Sequence, residues 1–180
     1  MTITRLSRIV LCVLGVLWAA GAAEAQDVTY NAMPGTNFAS FKTYRWVQME
    51  GAAKPDQIVD QQITQAIDAA LATKGLTKAA GDKADLAVGY QVAVTQQKEW
   101  NAYGSGMGYR MGGGMATMTS TVIQTGTLGL SIYDESNKQL VWRGTAAKTI
   151  DPKANPQKRQ DNIAKAVTKM LKNYPPPVKK

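Results

Sequence analysis

Asp85-Leu86-Ala87-Val88-Gly89-Tyr90-Gln91-Val92-Ala93-Val94-Thr95 decides the fold. Leu86, Val88, Tyr90, Val92 and Val94 fall on one side, and Ala87, Gly89, Gln91, Ala93 and Thr95 on the other. Successive strand residues point to opposite faces, so the alternation predicts a strand with one buried face. Residues 119–133 repeat the pattern, with Leu128, Leu130 and Ile132 on the apolar side. Asp134-Glu135-Ser136-Asn137 is turn chemistry, and residues 139–148 give a third strand carrying Leu140 and Trp142. So short a connection predicts an antiparallel hairpin.

Helices flank this unit. Asp56 offers an N-cap oxygen after the breaker at 51–55. Ile58, Val59, Ile63, Ala66, Ile67, Ala70 and Leu71 then follow at helical spacing, and Gly75 is placed to close the helix. Near the C-terminus, Asn155-Pro156 reads as an N-cap and first-turn proline. Ile163, Ala166, Val167, Met170, Leu171 and Tyr174 form the apolar stripe of that helix, and Pro175-Pro176-Pro177 stops it. Phe41-Lys42-Thr43-Tyr44-Arg45-Trp46-Val47 reads as a strand before the first helix. Residues 26–40 read as irregular, with a turn at Pro34-Gly35. The order β-α-β-β-β-α predicts an α+β two-layer sandwich: a four-stranded mixed sheet with two helices on one face.

Residues 1–25 read as a secretory signal peptide. Arg5 and Arg8 precede an apolar run at 9–20, and Ala23-Glu24-Ala25 forms an A-x-A site. The run is about 12 residues, short of the roughly 20 that span a bilayer, which disfavours a retained anchor. The expected mature chain, 26–180, is then a single periplasmic or secreted domain with no membrane span. Cys12 lies inside the apolar run, too early for a lipidation site.

Composition narrows the chemistry. Processing would remove two of the 21 Lys and Arg and one of the 13 Asp and Glu, leaving 19 against 12, a formal +7. Fifteen of the 19 are Lys, which suits a solvated basic surface more than phosphate gripped by guanidinium forks. Without a basic-aromatic stripe, nucleic acid is not expected as a partner. Cys12 is the only cysteine and there is no histidine, so the mature chain lacks a thiol nucleophile, a disulfide and the commonest general base and metal ligand. Asp56, Asp60 and Asp68 occupy polar positions of the first helix, with no sign of the buried pair a glycosidase needs. Gly104-Ser105-Gly106-Met107-Gly108 lacks the Gly-Lys-Ser/Thr of a phosphate loop, and no serine sits in a Gly-x-Ser-x-Gly elbow. No enzymatic activity, resident metal or cofactor is expected.

Residues 100–118 stand apart. Six glycines (104, 106, 108, 112, 113 and 114) alternate with Met107, Met111, Met115 and Met118. Glycine this dense disfavours regular structure, and a hairpin loop this long is either functional or disordered. Its methionines suit adaptable contacts, with soft-metal binding, such as copper, as the alternative.

Phe41-Lys42-Thr43-Tyr44-Arg45-Trp46, Ala84-Asp85-Leu86 with Val88 and Tyr90, Gly126-Thr127-Leu128, Leu140-Val141-Trp142-Arg143-Gly144, and Met170-Leu171-Lys172-Asn173-Tyr174-Pro175-Pro176 together resemble the domain-of-unknown-function 4136 family of bacterial envelope proteins. The stretches run in order through nearly the whole expected mature chain. The resemblance implies export, often a lipidated N-terminus, and a central loop rich in glycine and aromatics. This chain lacks the lipidation cysteine. The family has no established activity, so the resemblance transfers no catalytic residue. The element order also resembles small α+β envelope accessory domains that assist outer-membrane assembly.

The expectation is therefore a non-catalytic envelope domain that binds a protein or an envelope polymer. Its contacts would come from the sheet face away from the helices and from the Gly/Met segment. Trp100, Tyr103, Met107, Tyr109, Arg110, Met111 and Arg143 are the candidate contacts; Trp142, on the opposite face from Arg143, is a core residue. The alternative is a binder of copper or of a small hydrophobic ligand through the loop methionines. Oligomeric state has no signature in the sequence.

Overall fold

The computed structural model describes residues 27–102 and 118–177. In chain order these form β1 (Asp27–Ala32), a 3-10 turn (Phe38–Ser40), β2 (Thr43–Trp46), α1 (Gln57–Ala72), β3 (Thr77–Lys78), β4 (Leu86–Ala102), β5 (Met118–Asp134), β6 (Leu140–Thr149), α2 (Pro156–Met170) and a last 3-10 turn (Leu171–Asn173). The strands make one mixed sheet in the order β1-β6-β5-β4-β2-β3. β2 runs parallel to β3 and β4, and the β4–β5, β5–β6 and β6–β1 pairs are antiparallel.

The α+β class, the mixed sheet and the two helices stand. The sheet has six strands, not four. β1, from the segment read as irregular, pairs with β6 from Asp27↔Ala147 to Ala32↔Trp142. The turn follows it, with Gly35 at φ +79. β3 is only two residues and adds the other edge beside β2.

Local chemistry sets the helix ends. Asp56 Oδ1 accepts from the N–H groups of Ile58 and Val59, both at 3.1 Å. At the far end of α1, Leu76 N–H donates to Leu71 O at 3.1 Å and Gly75 N–H to Ala72 O at 3.0 Å. This is a Schellman closure, with Gly75 in the left-handed region at φ +81. Asn155 Oδ1 caps α2 by accepting from Lys158 N–H at 2.7 Å, with Pro156 in the first turn.

One core joins sheet and helices. Ile63, Ile67 and Leu71 of α1 and Val167 and Met170 of α2 pack with Leu86, Val88, Leu128, Leu130, Ile132 and Trp142. Trp142 is 1 % exposed, as its strand face predicts. A bulge corrects its neighbour: Ile132 pairs with Trp142 but Tyr133 pairs with Leu140, so Val141 is the extra residue. Val141 joins the core, and Leu140 moves into the row of Tyr133 and Ala87 on the other side. Among the described residues, no helix is long and apolar enough to cross a membrane.

Residues 100–102 and 118, read as part of the irregular segment, are strand positions. β4 runs to Ala102 and β5 starts at Met118, pairing Trp100 with Ser120 and Ala102 with Met118. The glycines begin only at Gly104, so nothing before them breaks the strand. β6 leaves the ladder at Thr125↔Thr149, and beyond it β4 and β5 continue as a two-stranded ribbon. Val94 and Val122 are exposed near and along that ribbon.

Candidate functional site

The face of the sheet away from the helices is built from three cross-strand rows. They are Asn31–Arg143–Ser131–Gly89, Thr29–Thr145–Gly129–Gln91 and Asp27–Ala147–Thr127–Ala93. The side chains are short and neutral, apart from Asp27 at one corner and Arg143 near the centre. Arg143 is exposed, while its neighbour Trp142 is buried. Strand alternation separates the two, as the sequence implies.

The face is not bare across its whole width. Val47 N–H donates to Val88 O at 2.8 Å, which keeps the chain after β2 beside β4, and Val47 O stands 3.1 Å from where a Gly89 Cβ would be, on this side of the sheet. Met49 then lies over Gly89: a Cβ there would stand 2.6 Å from the Met49 Sδ. Gly89 thus accommodates the thioether. Gln91 lies over Gly129 in the same way, with its Cγ 3.2 Å from where a Cβ would be. Ala87 and Ser131 are consequently buried. The open part is the half formed by β1, β6 and the adjoining stretch of β5.

Charged groups at the margin are occupied in holding the frame. Arg45 Nε donates to Glu135 Oε1 at 2.6 Å, and Lys138 Nζ reaches Glu135 Oε2 at 2.7 Å. The Lys138 and Arg45 bonds hold the Glu135 carboxyl below its ordinary pKa. Asp85 Oδ2 accepts from the backbone N–H of Lys42 at 2.8 Å and of Thr43 at 2.9 Å, and from the Thr43 hydroxyl. Those bonds depress its pKa, the Lys42 bond most.

The helix carboxylates are occupied too. Asp68 Oδ1 accepts from the Tyr44 hydroxyl at 2.7 Å and from Trp46 Nε1 at 2.8 Å. Asp60 accepts from the Tyr90 hydroxyl. Burial first, and then these bonds, raise both phenols well above their ordinary range. Among the described residues no group of three or more His, Cys, Asp or Glu is placed to hold a metal.

A family model described as "Domain of unknown function (DUF4136)" matches residues 27–176. The chain belongs to the DUF4136 family. The matched span covers β1 through the prolines after α2, so the family unit is the whole sandwich described above. Comparison with curated proteins returns no match. Among solved structures, this DUF4136 chain is similar to a PDZ domain protein from Parabacteroides distasonis ATCC 8503, with a TM-score of 0.57 and 16 % identity. The likeness covers 86 % of this chain but only 37 % of that one. The PelC dodecamer from Paraburkholderia phytofirmans is similar at a TM-score of 0.50 and 11 % identity, over 82 % of this chain and 95 % of that one. Identities this low carry the fold alone.

Of the contacts read from sequence, Arg143 sits exposed on the outer face of the DUF4136 sheet. Trp100 is a β4 position paired with Ser120. Tyr103, Met107, Tyr109, Arg110 and Met111 lie outside the described residues, as do the possible copper ligands among the loop methionines except Met118, a strand position. The sequence reading missed Met49 as a cover for the outer face. It also missed the pairing of Asp60 and Asp68 with sheet aromatics. The i, i+8 spacing of those acids, facing an aromatic strand, was the available signal.

Proposed function

We propose that this DUF4136 chain is a non-catalytic domain, exported to the cell envelope, that binds a protein or an envelope polymer through the outer face of its sheet. The Gly/Met segment at the end of the β4–β5 hairpin adds a second contact. The carrying observation is the half-face of Thr29, Asn31, Thr127, Arg143, Thr145 and Ala147. An antiparallel sheet with one solvated face ordinarily alternates to polar residues there, charged ones included. This one places hydroxyls, an amide and methyls around a single guanidinium. Such a surface costs less to dehydrate than a densely charged one, provided its hydrogen bonds are remade, and it keeps donors for peptide or glycan oxygens.

The test is site-specific photocrosslinking in cells. A crosslinker at Arg143 or Thr145 should trap one discrete partner, and one at Lys165, on the exposed side of α2, should not. Equal trapping from Lys165, or none from the sheet positions, would remove the outer face as the binding surface.

A further inference from the structure

The two ends of the sandwich are packed differently. At one end Trp142, Met170, Leu171 and Tyr174 fill the space between sheet and helices. At the other, where both helices begin, the positions are Gly126, Ala146, Ala154 and Ala166, and a half-open cavity of about 290 Å³ remains. Protein interiors leave few voids larger than a water molecule, so this is a ligand-sized gap at the small end of the range for binding pockets. Its walls are Val59 and Ile63 of α1, Ile163 of α2, and Val92 and Leu128 of the sheet. Ile150 closes one side; its Cδ1 lies 3.2 Å from where a Gly126 Cβ would be. Water in such a space has few hydrogen-bond partners, so apolar surface that displaces it is favoured.

Among the described residues, the mouth is polar and carries net positive charge. Arg159, exposed in the first turns of α2, lines it, as does Lys148, whose Nζ donates to Asn162 Oδ1 at 2.9 Å. Asp151, the one acid among the described lining residues, already accepts from Lys158 Nζ at 3.0 Å and from Lys153 N–H at 2.9 Å. An apolar chamber under a cationic rim complements a molecule with a single tail and an anionic head. The guanidinium fork of Arg159 matches the two oxygens of a carboxylate. We infer that this cavity binds a fatty carboxylate, its tail between Val59, Ile163 and Leu128 and its head at Arg159. The site is separate from the outer face, on the opposite side of the sheet, and stands or falls independently of it.

Titration calorimetry of the purified protein with dodecanoate, kept below its micelle-forming concentration, tests this. Saturable binding at one site per chain is expected. Arg159→Gln, an exposed change that leaves the walls intact, should weaken dodecanoate about tenfold and leave the uncharged dodecanol unaffected. Ala166→Phe should fill the chamber and abolish binding of both. Should that variant fold poorly, Ile150→Trp offers a second way to obstruct the same space. No saturable dodecanoate binding, or undiminished affinity in a folded, cavity-filled variant, overturns the site. Equal loss of dodecanol and dodecanoate in Arg159→Gln overturns the headgroup contact. Tighter binding of lysophosphatidylglycerol than of dodecanoate overturns the choice of a carboxylate.

Discussion

Gly144 lies against the indole of Trp142, two residues before it on the same strand. A Cβ on Gly144 would stand 2.3 Å from Trp142 Cη2 and 2.6 Å from Met170 Cγ. The Trp142-Arg143-Gly144 stretch therefore has a steric logic: indole inward, guanidinium outward, and no side chain where the indole rests. The obstacle is a rigid ring in a filled core, so it cannot simply swing aside. Gly144→Ala should destabilise by about 1–3 kcal/mol, the usual cost of overpacking. Chemical denaturation measures it, and a wild-type midpoint would mean that the ring and Met170 can give way.

Asp68 holds two sheet aromatics at one oxygen. Removing it leaves the Tyr44 hydroxyl and the Trp46 indole N–H without that acceptor, at a cost of about 1–3 kcal/mol for Asp68→Ala. Tyr44→Phe should cost less in that background than in wild type, because the bond it deletes is already gone. Strict additivity in this double-mutant cycle would show that Asp68 contributes nothing through Tyr44.

Asp85 ties the start of β2 to the start of β4, and its pKa is lowered from the ordinary 3.8 in the folded state. A depressed folded pKa means that the unfolded chain takes up the proton first as pH falls. Its stabilisation is then complete above about pH 5 and is lost as the pH drops through the ordinary value toward the folded one. Glu135, depressed by Lys138 and Arg45, acts in the same direction. Asp85→Asn should be less stable than wild type by a constant margin at neutral pH, and the two curves should converge below about pH 4. A margin that persists unchanged into acid would assign the effect to lost geometry instead of lost charge.

Ala102 pairs directly with Met118. Replacing residues 103–117 with Asn-Gly therefore meets the register of a two-residue hairpin. Closure entropy changes only by about 0.6 kcal/mol per halving of loop length, so cooperative unfolding should survive. The outer-face crosslink should weaken. Loss of folding would place the segment in the core.

Mass spectrometry of the exported protein should find Gln26, open or cyclised, as the first residue. Small side chains at Ala23 and Ala25 suit the shallow pockets of a signal peptidase. A mature protein that retains Cys12 would overturn export by cleavage.

Much of the fold is legible because it is local. The alternation in β4, the capping Asp56 and Asn155 and the apolar helical stripes each act within a few residues. β1 shows the limit. Val28, Tyr30 and Ala32 do alternate, but the strand forms because β6 lies more than a hundred residues away to receive it. β3 has only two residues, too few for any period, and its position follows from the closure at Gly75. The bulge that exchanges Val141 for Leu140 depends on register between strands. On the outer face, Arg143 follows from alternation with Trp142, whereas Met49 reaches Gly89 only once β2 is docked beside β4. The cavity is written in alanines and a glycine, and an absent side chain has no meaning until its surroundings are assembled.

The β4–β5 ribbon sets a distance. From its last contact with β6, Thr125↔Thr149, to its end at Met118, β5 runs seven residues, roughly 23 Å at about 3.3 Å each. The ribbon's end, at Ala102 and Met118, thus stands about two nanometres along the strand from the last pairing with β6. A partner that grips both the outer face and the segment beyond the ribbon must therefore be long enough to span that distance.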